Sequence, residues 1–213
     1  MARFPVRALF AALAIPAAFA VPGALADPAT LREAREAVAA LAGRHRAAAA
    51  FTLAFESRAL DAAGEPMPPV RGTLVAADSG RFRLTHAQGV VVSDGRTLWQ
   101  YFSSTKQVVI RNADAAGNAG GILLRFLQAR AADAAREGDV LRVALDPASV
   151  GESLDSLVLL LSADGKAVRG LETQDPAGNR VSYKVSSLRY DARPGRGAFE
   201  FKVPAEAEVV DMR

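Results

Sequence analysis

From Ala50 onward the apolar residues recur at every second position, and they keep that period through most of the chain. This feature constrains the fold more than any other, because a period of two places alternate side chains on opposite faces of a strand. "FTLAFES" sets Phe51, Leu53 and Phe55 on one face, and "AGEPMPP" after it is a turn or loop. "VRGTLVAADSGRFRLTH" reads as two strands around Asp78-Ser79-Gly80, a three-residue hairpin loop. Pairing Ala77 with Arg81 opposes Ala76 to Phe82 and Leu74 to Leu84. Leu74, Phe82 and Leu84 then share a face, while Arg81, Arg83 and Thr85 point the other way.

The run "VVVSDGRTLWQYF" continues the series. Asp94-Gly95 predicts a type I′ hairpin turn with Ser93 opposite Arg96, Val92 opposite Thr97 and Val90 opposite Trp99. The turn "SSTK" then pairs Tyr101 with Val108 and Trp99 with Ile110. One face collects Val90, Val92, Trp99, Tyr101, Val108 and Ile110, and Asp94 is a turn residue rather than a catalytic one. A small Gly-rich loop follows, and Ile122, Leu123, Phe126 and Leu127 make a helical stripe. Further strands are "VLRVALDP", "SLVLLLSADG", "AVRGLETQD", "RVSYKVSSLRYD" and "AFEFKVP". With about eleven antiparallel strands and no βαβ alternation, the chain is mainly β with a few helices.

Before the strands, "DPATLREAREAVAALAGR" is a helix. Asp27 can cap it, Pro28 suits its first turn, Thr30 and Glu33 are spaced as a capping box, and Gly43 is expected to stop it. Residues 1–26 read as a signal peptide: Arg3 and Arg7, an uncharged apolar run, then Ala24 and Ala26 as a small-residue cleavage motif. Cleavage after Ala26 leaves one exported domain over 27–213. The formal charge of +3 falls to about +1 without the two arginines, so the basic pI is no sign of nucleic-acid binding. The chain has no cysteine, which excludes thiolate chemistry.

Catalytic signals are thin. His45, expected in a solvated loop past the helix, and His86, at a strand end, have no metal-like spacing. Glu56, Asp61, Glu172 and Asp175 read as solvated strand-end acids rather than a glycosidase pair. No catalytic residue, metal or cofactor is expected. The apolar alternation suits either a packed core or a lined cavity, since both need the same inward side chains.

The stretch "VVVSDGRTLWQYFSSTKQVVI", with "FTLAFES", "RGTLVAADSGRFRL", "GGILLRFLQA" and the ending "AFEFKVPAEAEVVDMR", resembles the LolA family of outer-membrane lipoprotein carriers along the whole of residues 27–213. The resemblance implies an unclosed antiparallel β-barrel, a half-barrel with a helical lid over an apolar cavity. It implies a monomeric, non-enzymatic, periplasmic carrier for the acyl chains of lipoproteins. An inner-membrane ABC transporter would release that cargo, and an outer-membrane acceptor would take it. A lipid-binding or lipoprotein-sensing module with another cargo is the alternative. The expected cavity lining is Phe51, Leu53, Phe55, Leu74, Phe82 and Leu84 from the first strands. Val90, Val92, Trp99 and Tyr101 would come from the next two, and Ile122, Leu123, Phe126 and Leu127 from the helix. Family members commonly carry a basic residue and then proline in the turn between the second and third strands, where it helps hold the lid; Asp78 stands there in this chain.

Overall fold

The computed structural model describes residues 27–77, 80–113, 125–150, 153–190 and 194–213. The expected signal peptide, Asp78, Ile122 and Leu123 lie outside the described residues.

One long helix, α1 (Pro28–Ala47), precedes twelve strands. They are β1 (Ala50–Leu60), β2 (Val70–Ala77), β3 (Arg81–His86), β4 (Gly89–Asp94), β5 (Thr97–Phe102) and β6 (Gln107–Asn112). Then come β7 (Ala131–Glu137), β8 (Val140–Leu145), β9 (Ser156–Ser162), β10 (Val168–Gln174), β11 (Arg180–Tyr190) and β12 (Glu208–Asp211). The strand order is β12-β6-β5-β4-β3-β2-β1-β11-β10-β9-β8-β7. Such an order has two ends, so the sheet is unclosed, as expected. Successive strands from β2 to β6 and from β7 to β11 are antiparallel. The strands depart from expectation in two places: β7 forms in "AADAARE", a stretch outside the expected strand series, and the end of the chain differs. "AFEFKVP" is not a strand; the twelfth strand lies further on and runs parallel to β6, with Val209 beside Val108 and Val210 beside Val109.

Local chemistry explains the element ends. Asp27 caps α1: its carboxylate accepts from the Ala29 and Thr30 amides at 3.3 Å each and from the Thr30 hydroxyl at 3.2 Å. These bonds, the Ala29 amide first, hold its carboxyl below the usual value. Glu33 closes no capping box here; it pairs with Arg136 on β7. The helix runs past Gly43 for another turn, so His45 is helical and not in a loop. Gly in a helix costs only about 1 kcal/mol, and burial of His45 against Phe51 and Tyr190 offsets that. Aspartates shape the turns: Asp61, Asp94 and Asp175 each accept two backbone N–H groups from the residues that follow.

The chain forms two compact units. The first holds α1 as far as Arg44, Glu56–Val70 and the described part of Arg125–Ser186. Its ladders align Leu141 with Leu161, Val143 with Leu159 and Leu145 with Leu157 on one face. All six side chains are almost wholly buried, and the regular row of branched aliphatics packs without polar atoms to satisfy. Helix α1 is tied to this unit by Arg35 donating to the Ala131 carbonyl and Arg44 donating to the Lys166 carbonyl. Gly165, in the β9–β10 turn, lies so near Ala37 that a Cβ there would come within 2.7 Å. On the other face Arg142 bonds Glu172 at 2.9 Å.

The second unit holds His45–Phe55 and the described parts of Arg71–Leu124 and Ser187–Arg213. Here the sheet is buried on both faces. Leu74, Phe82, Leu84, Val91 and Leu98 are buried on one, and Val92, Val108 and Ile110 on the other.

Candidate functional site

The β2–β3 hairpin has the register its sequence predicts, with Leu74 opposite Leu84 and Ala76 opposite Phe82. The β5–β6 hairpin also does, with Tyr101 opposite Val108 and Trp99 opposite Ile110. The β4–β5 hairpin differs. Ser93 opposes Leu98, so the two-residue loop is Gly95-Arg96 and not Asp94-Gly95. Only Gly95 of that pair has positive φ, at 93°, which fits a type II′ rather than a type I′ turn. Asp94 stays outside the loop and accepts from the Arg96 and Thr97 amides at 2.8 and 2.7 Å. The slip is two residues, so Val90, Val92, Trp99 and Tyr101 still share a face.

That face is not the face of Phe82. Across β3 and β4, Phe82 opposes Ser93, Leu84 opposes Val91, and Arg83 opposes Val92. Opposed residues point the same way. The expected lining therefore divides. Leu74, Phe82 and Leu84 lie on one side; Val90, Val92, Trp99 and Tyr101 lie on the other, with Arg83 and Thr85. The grouping of Val90 and Trp99 with Phe82 is corrected by this register.

Each side has its own partners within the unit. On the Trp99 side, Phe201 stacks on Trp99 with ring centroids 6.4 Å apart. Arg83 donates to the Ala198 carbonyl at 2.7 Å and the Glu200 carbonyl at 2.6 Å. The Arg81 guanidinium lies 5.5 Å from the Phe199 ring centroid. The segment read as a strand from its alternating phenylalanines is thus a strap over this side.

On the Phe82 side, Gly72 is the telling residue. A Cβ there would lie 2.8 Å from the Phe55 ring, so the ring occupies the space above β2 that only a glycine leaves. Phe55 is therefore on the Gly72–Leu74–Phe82 side, and the period of two brings Phe51 and Leu53 with it. Phe51 is buried, with its ring centroid 4.7 Å from that of His45. Phe126 and Leu127 are buried in the first unit, where residues 125–128 are helical.

The ladders also place polar groups on the Phe82 side. One row across the strands reads Ala76, Phe82, Ser93, Leu98, Arg111; the next reads Leu74, Leu84, Val91, Gln100, Val109. Ser93 is 1% exposed and Gln100 is 7% exposed. Sequence reasoning missed Val91, Ser93, Leu98, Gln100, Val109 and Arg111. The signal that could have found them is the two-residue turn Ala87-Gln88, which pairs His86 with Gly89 and so fixes which valine follows Leu84.

The acids weighed as a catalytic pair have other partners. Glu56 bonds Arg58, Glu172 bonds Arg142, and Asp61 and Asp175 hold turns. Among the described residues no cluster of His, Asp and Glu suits a metal ion. No helix there is long and apolar enough to cross a membrane.

A family model described as outer membrane lipoprotein carrier protein LolA matches residues 46–202. The chain belongs to the LolA family. Among the relatives of this LolA-family chain is the outer-membrane lipoprotein carrier protein of Alkalilimnicola ehrlichii. It is 30% identical over 166 residues, 74% of this chain and 75% of that protein. The carrier protein of Vibrio cholerae is 26% identical over 170 residues, 76% of this chain and 84% of that protein. A solved structure of a conserved protein from Thermus thermophilus matches with a TM-score of 0.51 at 13% identity. The match covers 86% of this chain and 97% of that one. At that identity the likeness is one of fold. LolA-family proteins are carriers, so this chain binds rather than catalyses.

Proposed function

We propose that the chain is a periplasmic carrier for the acyl chains of lipoproteins, taking them from an inner-membrane ABC transporter and passing them to an acceptor at the outer membrane. The observation that carries the reading is the apolar face of the second unit. There Phe55 lies over Gly72, and Leu74, Phe82 and Leu84 continue the surface. Family membership supports the same role. The physical need is plain. Each CH₂ kept from water is worth about 0.8 kcal/mol. Three chains of ~16 carbons would then cost on the order of 40 kcal/mol in water as an upper bound. A carrier must hide them, and it must let them go. In this reading the acyl chains bind against the Phe82 face once its side chains part from their present packing, as a lid opens. The carrier acts as a monomer and is cleaved after Ala26.

The test is displacement of a fluorescent apolar probe from the folded, natively purified protein. Saturable probe binding, reversed by an acylated lipoprotein, is expected. Native protein that binds no probe is a packed domain, and the carrier reading then fails.

A further inference from the structure

Arg111 stands at the β6 end of the row that runs through Leu98, Ser93, Phe82 and Ala76. Its Nε–H is sealed from solvent and has no partner among the described residues. A buried donor of this kind needs an explanation. No carboxylate near it in the described ladders supplies one. Asp211 opposes Ile110 and Asp94 opposes Arg81, so both point to the Trp99 side. Glu208 shares the Phe82 side but pairs with Gln107, four residues and roughly 13 Å of strand away from Arg111. The Ser93 hydroxyl is engaged by the Gly95 amide. Gln100, 7% exposed, sets a side-chain amide one row from Arg111 on the same side. Arg111 as a whole is only half-buried, so its sealed Nε–H lacks an acceptor rather than a counter-ion.

We propose that Arg111 holds the carbonyl of an acyl chain's ester or amide link, its Nε–H donating to that oxygen, with Gln100 beside it as a second donor and the chain lying along Leu98 and Phe82. This rests on the carrier reading and deepens it by assigning the polar end of the cargo to β6. An acyl chain attached to a lipoprotein ends in such a carbonyl, which accepts a hydrogen bond and brings no charge. The row from β6 to β2 crosses four strand spacings, about 19 Å along the sheet. One end can therefore hold the link while the chain runs over the apolar rest. A hydrogen bond from a charged donor is the stronger kind. It forms only with a ligand that carries the carbonyl, so it favours acylated cargo over plain hydrocarbon.

The experiment measures displacement of the fluorescent probe by a peptide bearing dipalmitoylglyceryl cysteine and by its dihexadecyl ether counterpart, in which each ester carbonyl is replaced by CH₂. Wild type, Arg111→Met and Arg111→Lys are compared. Wild type is expected to bind the ester form about tenfold tighter than the ether form, the size of one hydrogen bond from a charged donor. Arg111→Met should bring that ratio close to one by weakening the ester form alone, and Arg111→Lys should keep part of it. A residue that only supports the fold changes both ligands equally, so an unchanged ratio in Arg111→Met overturns the proposal. Equal displacement by ester and ether in wild type, a comparison that needs no variant, also overturns it and leaves the carrier reading intact. Displacement by neither ligand removes both.

Discussion

The two units bury sheet faces of different character. In the first, Leu141, Val143, Leu145, Leu157, Leu159 and Leu161 make a face of branched aliphatics, with no polar side chain in those rows of β8 and β9. In the second, the Phe82 face mixes aromatic rings with Ser93, Gln100 and Arg111. Polar groups weaken a core that only has to pack, since each must find a partner or cost stability. The difference teaches where packing alone explains the residues and where it does not. The leucine face is accounted for by stability; on the Phe82 face Ser93 accepts from the Gly95 amide in the turn, while Arg111 keeps an Nε–H with no partner among the described residues.

Substitutions can break that comparison. Leu159→Ala should cost about 3–4 kcal/mol in urea unfolding, as a large cavity in a tight core does. Phe82→Glu should leave a folded protein, measured by thermal melting, and abolish capture of an acylated lipoprotein. If it unfolds as readily as the leucine variant, the two faces are alike and the contrast is gone. Gly72→Val should sharpen the picture by forcing the Phe55 ring from its place. A loss of about 1–3 kcal/mol is expected from such overpacking, with weaker probe binding in the same sample. The smallest effect belongs to the helix cap. The Asp27 carboxyl is held below its ordinary 3.8, first by the Ala29 amide. Its folded pKa is lower than its unfolded one, so its contribution is complete above that ordinary value and is lost as pH falls through the folded pKa. Asp27→Asn still caps but does not titrate. Thermal melts should match wild type at pH 6, and the drop on going to pH 3 should be smaller than in wild type.

Much of this was legible in the residues. Leu74 and Phe82 found their partners because one hairpin loop and a clean alternation determine a register. Asp27 declared the helix start through its side chain. The side of the sheet for Val90 and Val92 was not legible, because "VVV" alternates nothing: a strand buried on both faces carries no period-two signal. His45 was misplaced because a glycine penalty of about 1 kcal/mol yields to tertiary contacts that lie far along the chain at Tyr190. Phe199 and Phe201 alternate like a strand but serve as a cover, anchored by Arg81 and Arg83. The Arg111 environment depends on ladders running through four strands, and no local window contains it.

The parallel strand β12 has a consequence for aggregation. Without it, β6 would present Val108, Val109 and Ile110 on an open backbone edge, the kind of edge that recruits strands from other molecules. β12 covers that edge with four residues only, and acids, Glu208 and Asp211, stand at its two ends. A short, charged outer strand is a poor template for the next copy. At this edge the unclosed sheet is a weaker template for strand addition than a bare β6 would be.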